Sequence, residues 1–316
     1  MSDPAPWSIA IFAARESLAE LMLTLNSTLS AISRSATVDL VINGNPSLAQ
    51  DCAAQLRQGT GLAENSLARV RVWFIEMGDK AHAWNQYLEV IWPGTEIAFF
   101  MDGYVRPDGD AFERLEAGLQ TSPLALGATG IPRMGRTAGK LREAMLRQGG
   151  IHGNLYCLRR DTVRRIVDSG FRLPRGIYRT DSALGAALKF NLDPAANEWN
   201  PARIRVQPDA SWATPVRHWW SLSDLKSQFK RTLRQMQGDL ENRAVRQHFA
   251  VERRAVDTLA PTAAELVCNW VARHPDEAKK MARRSFFYRS TLNKLRQPKD
   301  WQAAQIPPRL LYGSGE

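Results

Sequence analysis

Apolar residues in the first two-thirds of the chain alternate between short continuous runs and helical spacings. Short runs, which predict buried strands, lie at residues 8–12, 38–42, 70–75 and 96–101. Residues 18–32 and 81–90 instead repeat their apolar positions at helical spacing. Because strand–helix–strand units cross over in a right-handed sense, we expect an α/β fold with a mostly parallel sheet flanked by helices.

A turn and a candidate capping residue follow the second predicted strand. Residues 43–46, Asn-Gly-Asn-Pro, have the composition of a turn. Ser47 has a short hydroxyl side chain suited to capping a helix, which we expect to continue to Leu56. In sheets of this kind ligands bind beyond the carboxyl ends of the strands, so the residues that follow each run are candidates for binding.

The last hundred residues have a different, helical pattern. One apolar stripe at helical spacing comprises Leu222, Leu225, Phe229, Leu233, Met236 and Leu240. Thr262 and Glu265 form a capping box for a second helix that ends near Arg273, and Pro275 begins a third. We therefore divide the chain into an α/β domain at 1–218 and a helical region at 219–316. The stripe is also a candidate surface for homo-oligomer formation.

The charge of the chain is concentrated in that helical region. The formal net charge is +10, and residues 217–316 hold 19 basic against 10 acidic side chains. Cations and aromatic residues at 279–288 are compatible with nucleic acid, with an anionic membrane surface or with packing on another domain. A basic amphipathic helix is more typical of the last two, so we expect no nucleic-acid partner and favour peripheral attachment to the inner face of the cytoplasmic membrane.

The cysteines and the N-terminus bear on the location of the protein. Cys52, Cys157 and Cys268 are far apart and odd in number, a pattern that indicates neither a disulfide framework nor a metal site. No apolar run is long enough to span a membrane, and residues 1–7 lack the features of a secretory signal. We expect a cytoplasmic protein with buried, reduced cysteines.

The residue that most clearly suggests chemistry is Asp102, which directly follows the fourth predicted strand. A carboxylate at the carboxyl edge of a parallel sheet can hold a divalent cation against a diphosphate. Taken alone, an aspartate in this position is more often a turn former.

Four segments together resemble the family 2 glycosyltransferases, which have the GT-A fold. They are Gly-Asp-Lys-Ala-His-Ala-Trp-Asn at 78–85, Phe-Phe-Met-Asp-Gly-Tyr-Val-Arg-Pro at 99–107, Gly-Gly-Ile-His-Gly-Asn at 149–154, and Gly-Phe at 170–171 with Tyr-Arg-Thr-Asp at 178–181. The order and spacing of these segments carry the resemblance, which covers roughly residues 8–220. It implies a GT-A, Rossmann-like sheet and transfer of a sugar from a nucleotide-sugar donor to a glycan or lipid-linked acceptor.

The resemblance also implies roles for individual residues. Those expected at the donor nucleotide and its diphosphate are Ala13, Arg15, Asn43, Lys80, Asn85, Asp102, Gly103 and Tyr104. Asp102 is expected to bind Mg²⁺ or Mn²⁺, with His218 as a second ligand or an ordinary packed histidine. The chain departs from the family where Asn43 replaces the aspartate that binds the base and Tyr104 replaces a second metal-binding aspartate.

The acceptor half of the resemblance implies an inverting displacement. Asp181 is the expected base, which accepts the proton of the attacking hydroxyl, while His152, Gly153 and Asn154 are expected to bind the acceptor. Taken alone, Asp181 would more often be the N-cap of a helix over 183–188.

Two other classes compete with this hypothesis. A nucleotidyltransferase would be expected to have a glycine-rich basic loop after the first strand, which residues 13–17 do not form. A catalytically degenerate, glycosyltransferase-like scaffold is compatible with the residues found at positions 43 and 104.

Overall fold

The computed structural model describes residues 5–59, 65–133, 138–215 and 222–314, with the backbone alone described over 222–231. Within these residues, nine strands form one mixed sheet in the order β5-β8-β6-β7-β4-β1-β2-β3-β9. The strands are β1 (Trp7–Ala13), β2 (Ala36–Asn43), β3 (Ala68–Ile75), β4 (Ile97–Asp102), β5 (Arg106–Pro107), β6 (Gly127–Pro132), β7 (Leu155–Arg159), β8 (Ile204–Ala213) and β9 (Arg309–Gly313).

Four adjacent strands, β4-β1-β2-β3, are parallel and make the centre of the sheet. They correspond to the four runs of the apolar pattern, so the predicted α/β class with its parallel centre is confirmed. Their side chains are almost continuously buried in β1 and β2, as expected of strands covered by helices on both faces. Beyond β4, the strand β7 pairs antiparallel with both β4 and β6.

Helices cover both faces of this sheet. The described helices are α1 (Leu18–Ser30), α2 (Pro46–Gln58), α3 (Lys80–Gln86), α4 (Ala111–Gln120), α5 (Ala138–Gln148), α6 (Arg160–Asp168), α7 (Thr180–Lys189), α8 (Leu222–Arg246), α9 (Ala263–Arg273), α10 (Pro275–Arg284) and α11 (Phe287–Arg296). The helix predicted over 81–90 is α3 together with the π-helical turn Tyr87–Ile91 that continues it.

The capping predictions had mixed outcomes. Thr262 caps α9 as predicted, since its hydroxyl accepts from the Glu265 N–H at 3.2 Å. The prediction that Ser47 caps α2 is wrong. Asn45 is the cap, and its Oδ1 accepts from the Leu48 N–H at 3.1 Å. Pro46 at the first helical position has no N–H to satisfy and a fixed φ, so the helix begins two residues earlier than a cap at Ser47 predicted.

The helical C-terminal region is part of the main core. One buried cluster joins Phe171 and Leu184 from the α/β part to Leu240, Phe249 and Trp270 from the C-terminal part. The strand β9 also pairs antiparallel with β3 and extends the sheet. The sequence predicted α8 from its apolar stripe and α9 and α10 from their start signals, but it predicted neither α11 nor the strand. The division at 218/219, which lies outside the described residues, stays a prediction.

Two further sequence predictions concern cysteines and membrane spans. Cys52 and Cys157 are buried, Cys268 is partly buried, and all three are free thiols. No helix within the described ranges has the length and apolar character required to span a bilayer.

Candidate active site

The carboxyl ends of β1, β2 and β4 meet at one edge of the sheet, as their parallel pairing requires. Asn43 Nδ2 donates to the Ala13 carbonyl at 3.0 Å, and the Gly103 N–H donates to the Phe12 carbonyl at 2.8 Å. A Cβ at Gly103 would lie 2.9 Å from the Ala13 Cβ, so a side chain would not fit there without a shift. Three of the residues predicted at the donor, Ala13, Asn43 and Gly103, therefore lie together.

The loops that follow β2 and β3 also touch. Gly44 has a φ of +63°, and a Cβ on it would lie 2.3 Å from the Cα of Gly78. Next to this contact Asp79 caps α3, since its carboxylate accepts from the N–H groups of His82 and Gly176, each at 2.8 Å. The glycine contact and the cap together hold Lys80, the first residue of α3, at the same edge of the sheet.

Lys80, Asp102 and Tyr104 form a hydrogen-bonded cluster at this edge. The Lys80 ammonium makes a short ion pair with Asp102 Oδ1. The Tyr104 hydroxyl donates to the other oxygen, Oδ2, at 2.9 Å. Both oxygens of the single carboxylate are therefore engaged by donors of this chain. The resemblance implied that all three residues lie at the donor diphosphate, and the structure brings them together.

Antiparallel pairing of β7 with β4 places the loop 152–154 beside Asp102. Leu155, the first residue of β7, is paired with Met101, the residue before Asp102. The Tyr104 hydroxyl is 3.4 Å from Asn154 Oδ1, which links this loop to the cluster.

His152 in the same loop has a defined tautomer. Its Nδ1 accepts from the Asn154 N–H at 3.2 Å, so in the neutral ring Nε2 carries the proton. Burial lowers the pKa of His152, and the negative charges of Asp181 and Asp102 oppose this shift. The ring lies against Trp212, with centroids 4.9 Å apart. His152 therefore offers a neutral N–H donor near the two carboxylates.

Asp181 lies on the other side of Gly153. Its Oδ2 accepts from the Gly153 N–H at 3.4 Å, and its Oδ1 accepts from the Ser182 N–H at 2.9 Å. A Cβ on Gly153 would lie 3.6 Å from Lys80 Nζ and 3.8 Å from Asp181 Oδ2, so both groups lie close to this residue. Asp181 is not a helix cap, because α7 begins at Thr180 and Arg179 holds the cap position.

Two other predicted residues, Arg15 and Asn85, are not part of this cluster. Arg15 is exposed, and its backbone N–H donates to the Glu16 carboxylate at 2.9 Å. The Asn85 side chain is buried and exchanges two hydrogen bonds of 3.0 Å with the backbone of Leu173, which joins α3 to the acceptor half. His218 lies outside the described residues. Donor or metal contact by these three stays a prediction.

Sequence reasoning missed Glu241. This α8 carboxylate accepts from the N–H of Tyr178 at 2.9 Å and from the N–H of Arg179 at 3.1 Å, directly before α7 and Asp181. Burial raises the pKa of Glu241 to about 7, although the hydrogen bonds from Tyr178, Gln237 and Arg179 oppose the shift. The signal in the sequence was an acidic residue next to the apolar stripe of a basic helix, which alone does not indicate a partner 62 residues away.

The described residues do not provide a ready set of ligands for a divalent cation. No group of three or more His, Cys, Asp or Glu side chains suited to a metal occurs among them. The Asp102 carboxylate already accepts from an ammonium and a hydroxyl, which are donors rather than metal ligands. Mg²⁺ or Mn²⁺ at Asp102 would share the carboxylate with the Lys80 ammonium and the Tyr104 hydroxyl, which occupy two of its roughly four lone-pair sites.

Comparison with known proteins shows the fold. No family model and no curated protein sequence matches this chain. Among solved structures, a mannosyltransferase from Pyrobaculum calidifontis, in complex with GDP-Man and Mn²⁺, superposes with a TM-score of 0.56 and 14% identity, over 92% of this chain and 84% of that one. The chain has the GT-A fold.

Two other solved structures with this likeness are more distant. They are S. aureus TarS 1–349 with UDP-GlcNAc, at a TM-score of 0.49 and 12% identity over 92% of this chain and 79% of that one, and glucosyl-3-phosphoglycerate synthase from Mycobacterium tuberculosis, at 0.48 and 14% over 77% and 79%. In the GT-A fold of this protein, Lys80, Asp102 and Asp181 lie close together, and their roles at donor and acceptor stay predictions.

Proposed function

We propose that this protein is a glycosyltransferase that moves a sugar from a nucleotide-diphosphate sugar to an acceptor hydroxyl, with inversion, in polysaccharide or glycoconjugate synthesis. The observation that carries the proposal is the approach of Lys80, Asp102 and Asp181 to one another around Gly153 at the carboxyl edge of a GT-A sheet. A cation, a donor-side carboxylate and a second carboxylate at the start of α7 are the groups that such a displacement needs.

The reaction divides between these groups as follows. The acceptor oxygen attacks the anomeric carbon as the bond from that carbon to the diphosphate oxygen breaks. Asp181 accepts the hydroxyl proton, which requires the carboxylate to come within about 3 Å of it. Lys80 faces the leaving diphosphate and offsets its developing negative charge. The neutral His152 donates from Nε2 to an oxygen of the acceptor.

Donor binding is assigned to the strand ends. The nucleotide lies over the strand ends at Ala13, Asn43 and Gly103, which are themselves buried, and its base lies nearest the Asn43 side chain. We include Mg²⁺ or Mn²⁺ as a ligand to be tested rather than as a participant in these steps, because Asp102 is engaged by Lys80 and Tyr104.

Thermal shift with a panel of UDP-, GDP-, dTDP- and CMP-sugars, with and without Mn²⁺, tests the donor site. A nucleotide sugar present at a hundred times its dissociation constant should stabilise the protein by about 2.7 kcal/mol. Lys80→Met and Asp102→Asn should abolish the shift. Asp110→Asn is the matched control, because it breaks the surface ion pair of Asp110 with Arg114, 2.6 Å long, in a different part of the structure.

The outcomes of this panel separate the hypotheses. A shift for one nucleotide that survives in Asp110→Asn and is lost in the other two variants supports the donor site. Silence of the whole panel with folded protein contradicts it. If a donor binds, the anomeric configuration of the product, read by proton NMR, tests inversion, and retention would contradict Asp181 as a base in a single displacement.

A catalytically degenerate scaffold is the second candidate, and the engagement of both Asp102 oxygens by Lys80 and Tyr104 favours it. Such a protein would bind a nucleotide sugar without turning it over. Hydrolysis of the bound donor, measured as released nucleoside diphosphate, would exclude this candidate, and binding without any turnover in the presence of acceptor extracts would support it.

We also propose that the acceptor is presented at the inner face of the cytoplasmic membrane. The support is an exposed surface on α10 and the residue that precedes α11. It carries Lys279, Lys280 and Arg283, and Phe286 beside them is 87% exposed. Neutralising the three cations to glutamine should abolish salt-sensitive binding to vesicles with anionic lipid. The same change at Lys140, Arg142 and Arg147, which are exposed on α5, is the control. Equal binding by both triple variants would contradict the proposal.

A further inference from the structure

A cavity of about 600 Å³ lies between α7 and the end of α8, adjacent to Asp181. Its walls come from the loop 149–151, from α7 and from the last turns of α8 with the π-helical turn Gln247–Val251. Ile151, Phe190, Val245 and Phe249 give it a largely apolar lining. Its volume is in the range of sites for small ligands.

One cation inside this cavity is buried. Lys189, the last residue of α7, is 6% exposed and lines the cavity. Its Nζ lies 3.4 Å from the carbonyl oxygens of Gln148 and Gly149 and 4.6 Å from the centroid of the Trp199 ring. Among the described residues no carboxylate pairs with it, and burial lowers its pKa. A lysine in these surroundings is stabilised by an anion that enters the cavity.

The charges of the lining are separated along α7. Asp181 is the carboxylate of the lining, and it stands two turns of helix before Lys189, which is ~12 Å along the axis. Arg246 adds a second cation at the exposed rim on α8. A ligand with its reactive hydroxyl at Asp181 and an anionic group at Lys189 would place its middle against Phe190 and Phe249.

We propose that this cavity is the acceptor subsite and takes an amphiphilic phosphate ester. The phosphate pairs with Lys189 and the apolar part packs against Phe190, Val245 and Phe249. The assignment of this cavity to the acceptor rests on the proposed glycosyl transfer, but binding of the phosphate ester does not require a donor. It gives Lys189 a specificity-determining role.

Decyl phosphate, used below its micellar concentration, is the probe, and binding to the full-length protein without donor is measured by titration calorimetry. Decyl glucoside supplies the same chain without charge, and inorganic phosphate supplies the charge without the chain. We expect decyl phosphate to bind at least tenfold more tightly than either. Lys189→Met should weaken its binding at least tenfold, while Lys189→Arg should retain most of it and the exposed-site control Lys140→Met should leave it unchanged.

A second variant covers the case in which Lys189→Met fails to fold. Ala186→Phe places a ring into the cavity from α7, where Ala186 is half-buried, and should also abolish binding of the probe. The melting temperature of each variant reports its folding. Equal binding of decyl phosphate by wild type and a folded Lys189→Met, or equal binding of decyl phosphate and inorganic phosphate by wild type, would overturn the proposal.

The two proposals fail in different ways. Asp102→Asn should lose the stabilisation by nucleotide sugar and keep decyl phosphate binding, whereas Lys189→Met should do the reverse. Absence of probe binding with an intact donor response would refute the subsite alone. Absence of a donor response with intact probe binding would refute the glycosyltransferase and leave an anion-binding cavity of another function.

Discussion

Replacing Glu241 by glutamine should change the way in which the stability of the protein depends on pH. Burial raises the pKa of this carboxyl from 4.5 to about 7. Between these two values the folded protein holds a proton that the unfolded chain has released, so the free energy of unfolding falls as pH rises through this window and levels off above about 7. Glutamine has no such titration.

The size of the effect follows from the shift. One pKa unit corresponds to about 1.4 kcal/mol, so the wild type should lose about 3 kcal/mol relative to Glu241→Gln between pH 4.5 and pH 8. For a chain of 316 residues, the melting temperature of the wild type should therefore fall by about 5 °C relative to that of Glu241→Gln over this pH range. Melting curves of both proteins across that pH range, at constant ionic strength, measure it.

Glu252→Gln is a matched variant, because the pKa of Glu252 is shifted in the opposite direction. Burial raises the pKa of Glu252, but hydrogen bonds from Gln247 and Arg273 outweigh burial and hold the pKa below its usual value. The stability that Glu252 contributes is therefore present above about pH 4.5 and lost as pH falls further. A difference between wild type and Glu241→Gln that stays constant from pH 4.5 to pH 8 would refute the raised pKa and, with it, the burial of an ionisable group at this contact.

The same contact predicts an effect on activity. Glu241→Ala leaves the N–H groups of Tyr178 and Arg179 without their acceptor, while glutamine keeps an oxygen there. If Glu241 positions the start of α7, the alanine variant should lose kcat with little change in the KM for the donor, and glutamine should restore most of it. Equal kcat in the alanine variant and wild type would contradict the positioning role.

The remaining predictions concern a base, a glycine and the thiols. Asp181→Asn should lower kcat by ~10²–10⁴ and leave the thermal shift by donor unchanged, and a kcat within threefold of wild type would exclude Asp181 as the base. Gly44→Ala should destabilise by ~2–4 kcal/mol in denaturant unfolding because its Cβ would lie 2.3 Å from the Gly78 Cα. The control Gly59→Ala shares the positive φ, has no atom within 4 Å, and should cost ~1 kcal/mol; equal losses would contradict the contact. Burial raises the pKa of Cys52 to about 12, so Cys52 should react with a thiol reagent only after unfolding, and Cys268 should react first; rapid labelling of Cys52 would contradict its burial.

Local patterns in the sequence predicted the features that depend on neighbouring residues. The period of the apolar positions predicted β1 to β4, α1 and α3, and therefore the strand ends where Ala13, Asn43 and Asp102 lie. The turn at 43–46 predicted α2. The cap at Thr262 was also predictable from local sequence, because its hydroxyl and the Glu265 N–H that it accepts from are only three residues apart. The prediction for Ser47 was wrong because Asn45 caps the helix two residues earlier and the Ser47 hydroxyl donates to Asn45 Oδ1 at 3.0 Å. Sequence spacing alone does not rank the two candidate caps.

The roles of the donor-edge residues needed the tertiary structure. Lys80 and Asp102 were predicted separately, and their ion pair exists because the contact of Gly44 with Gly78 fixes the start of α3 beside the end of β4. Asn85 has the spacing of a donor residue in the sequence, but in the structure its amide is engaged by Leu173. The sequence alone does not distinguish a carboxylate or amide that faces a ligand from one that is hydrogen-bonded to the protein backbone.

The sequence by itself determined the α/β class, the parallel centre of the sheet and the edge at which chemistry was to be sought, since these follow from periodicity and from the geometry of parallel strands. Only the tertiary structure decided that Glu241 holds the segment before Asp181, that β9 closes the sheet on β3, and that Lys189 is buried in a cavity beside the candidate base. Each of these joins residues or surfaces that are distant in sequence or enclosed by several elements, and their energies depend on burial and on partners that no local pattern contains.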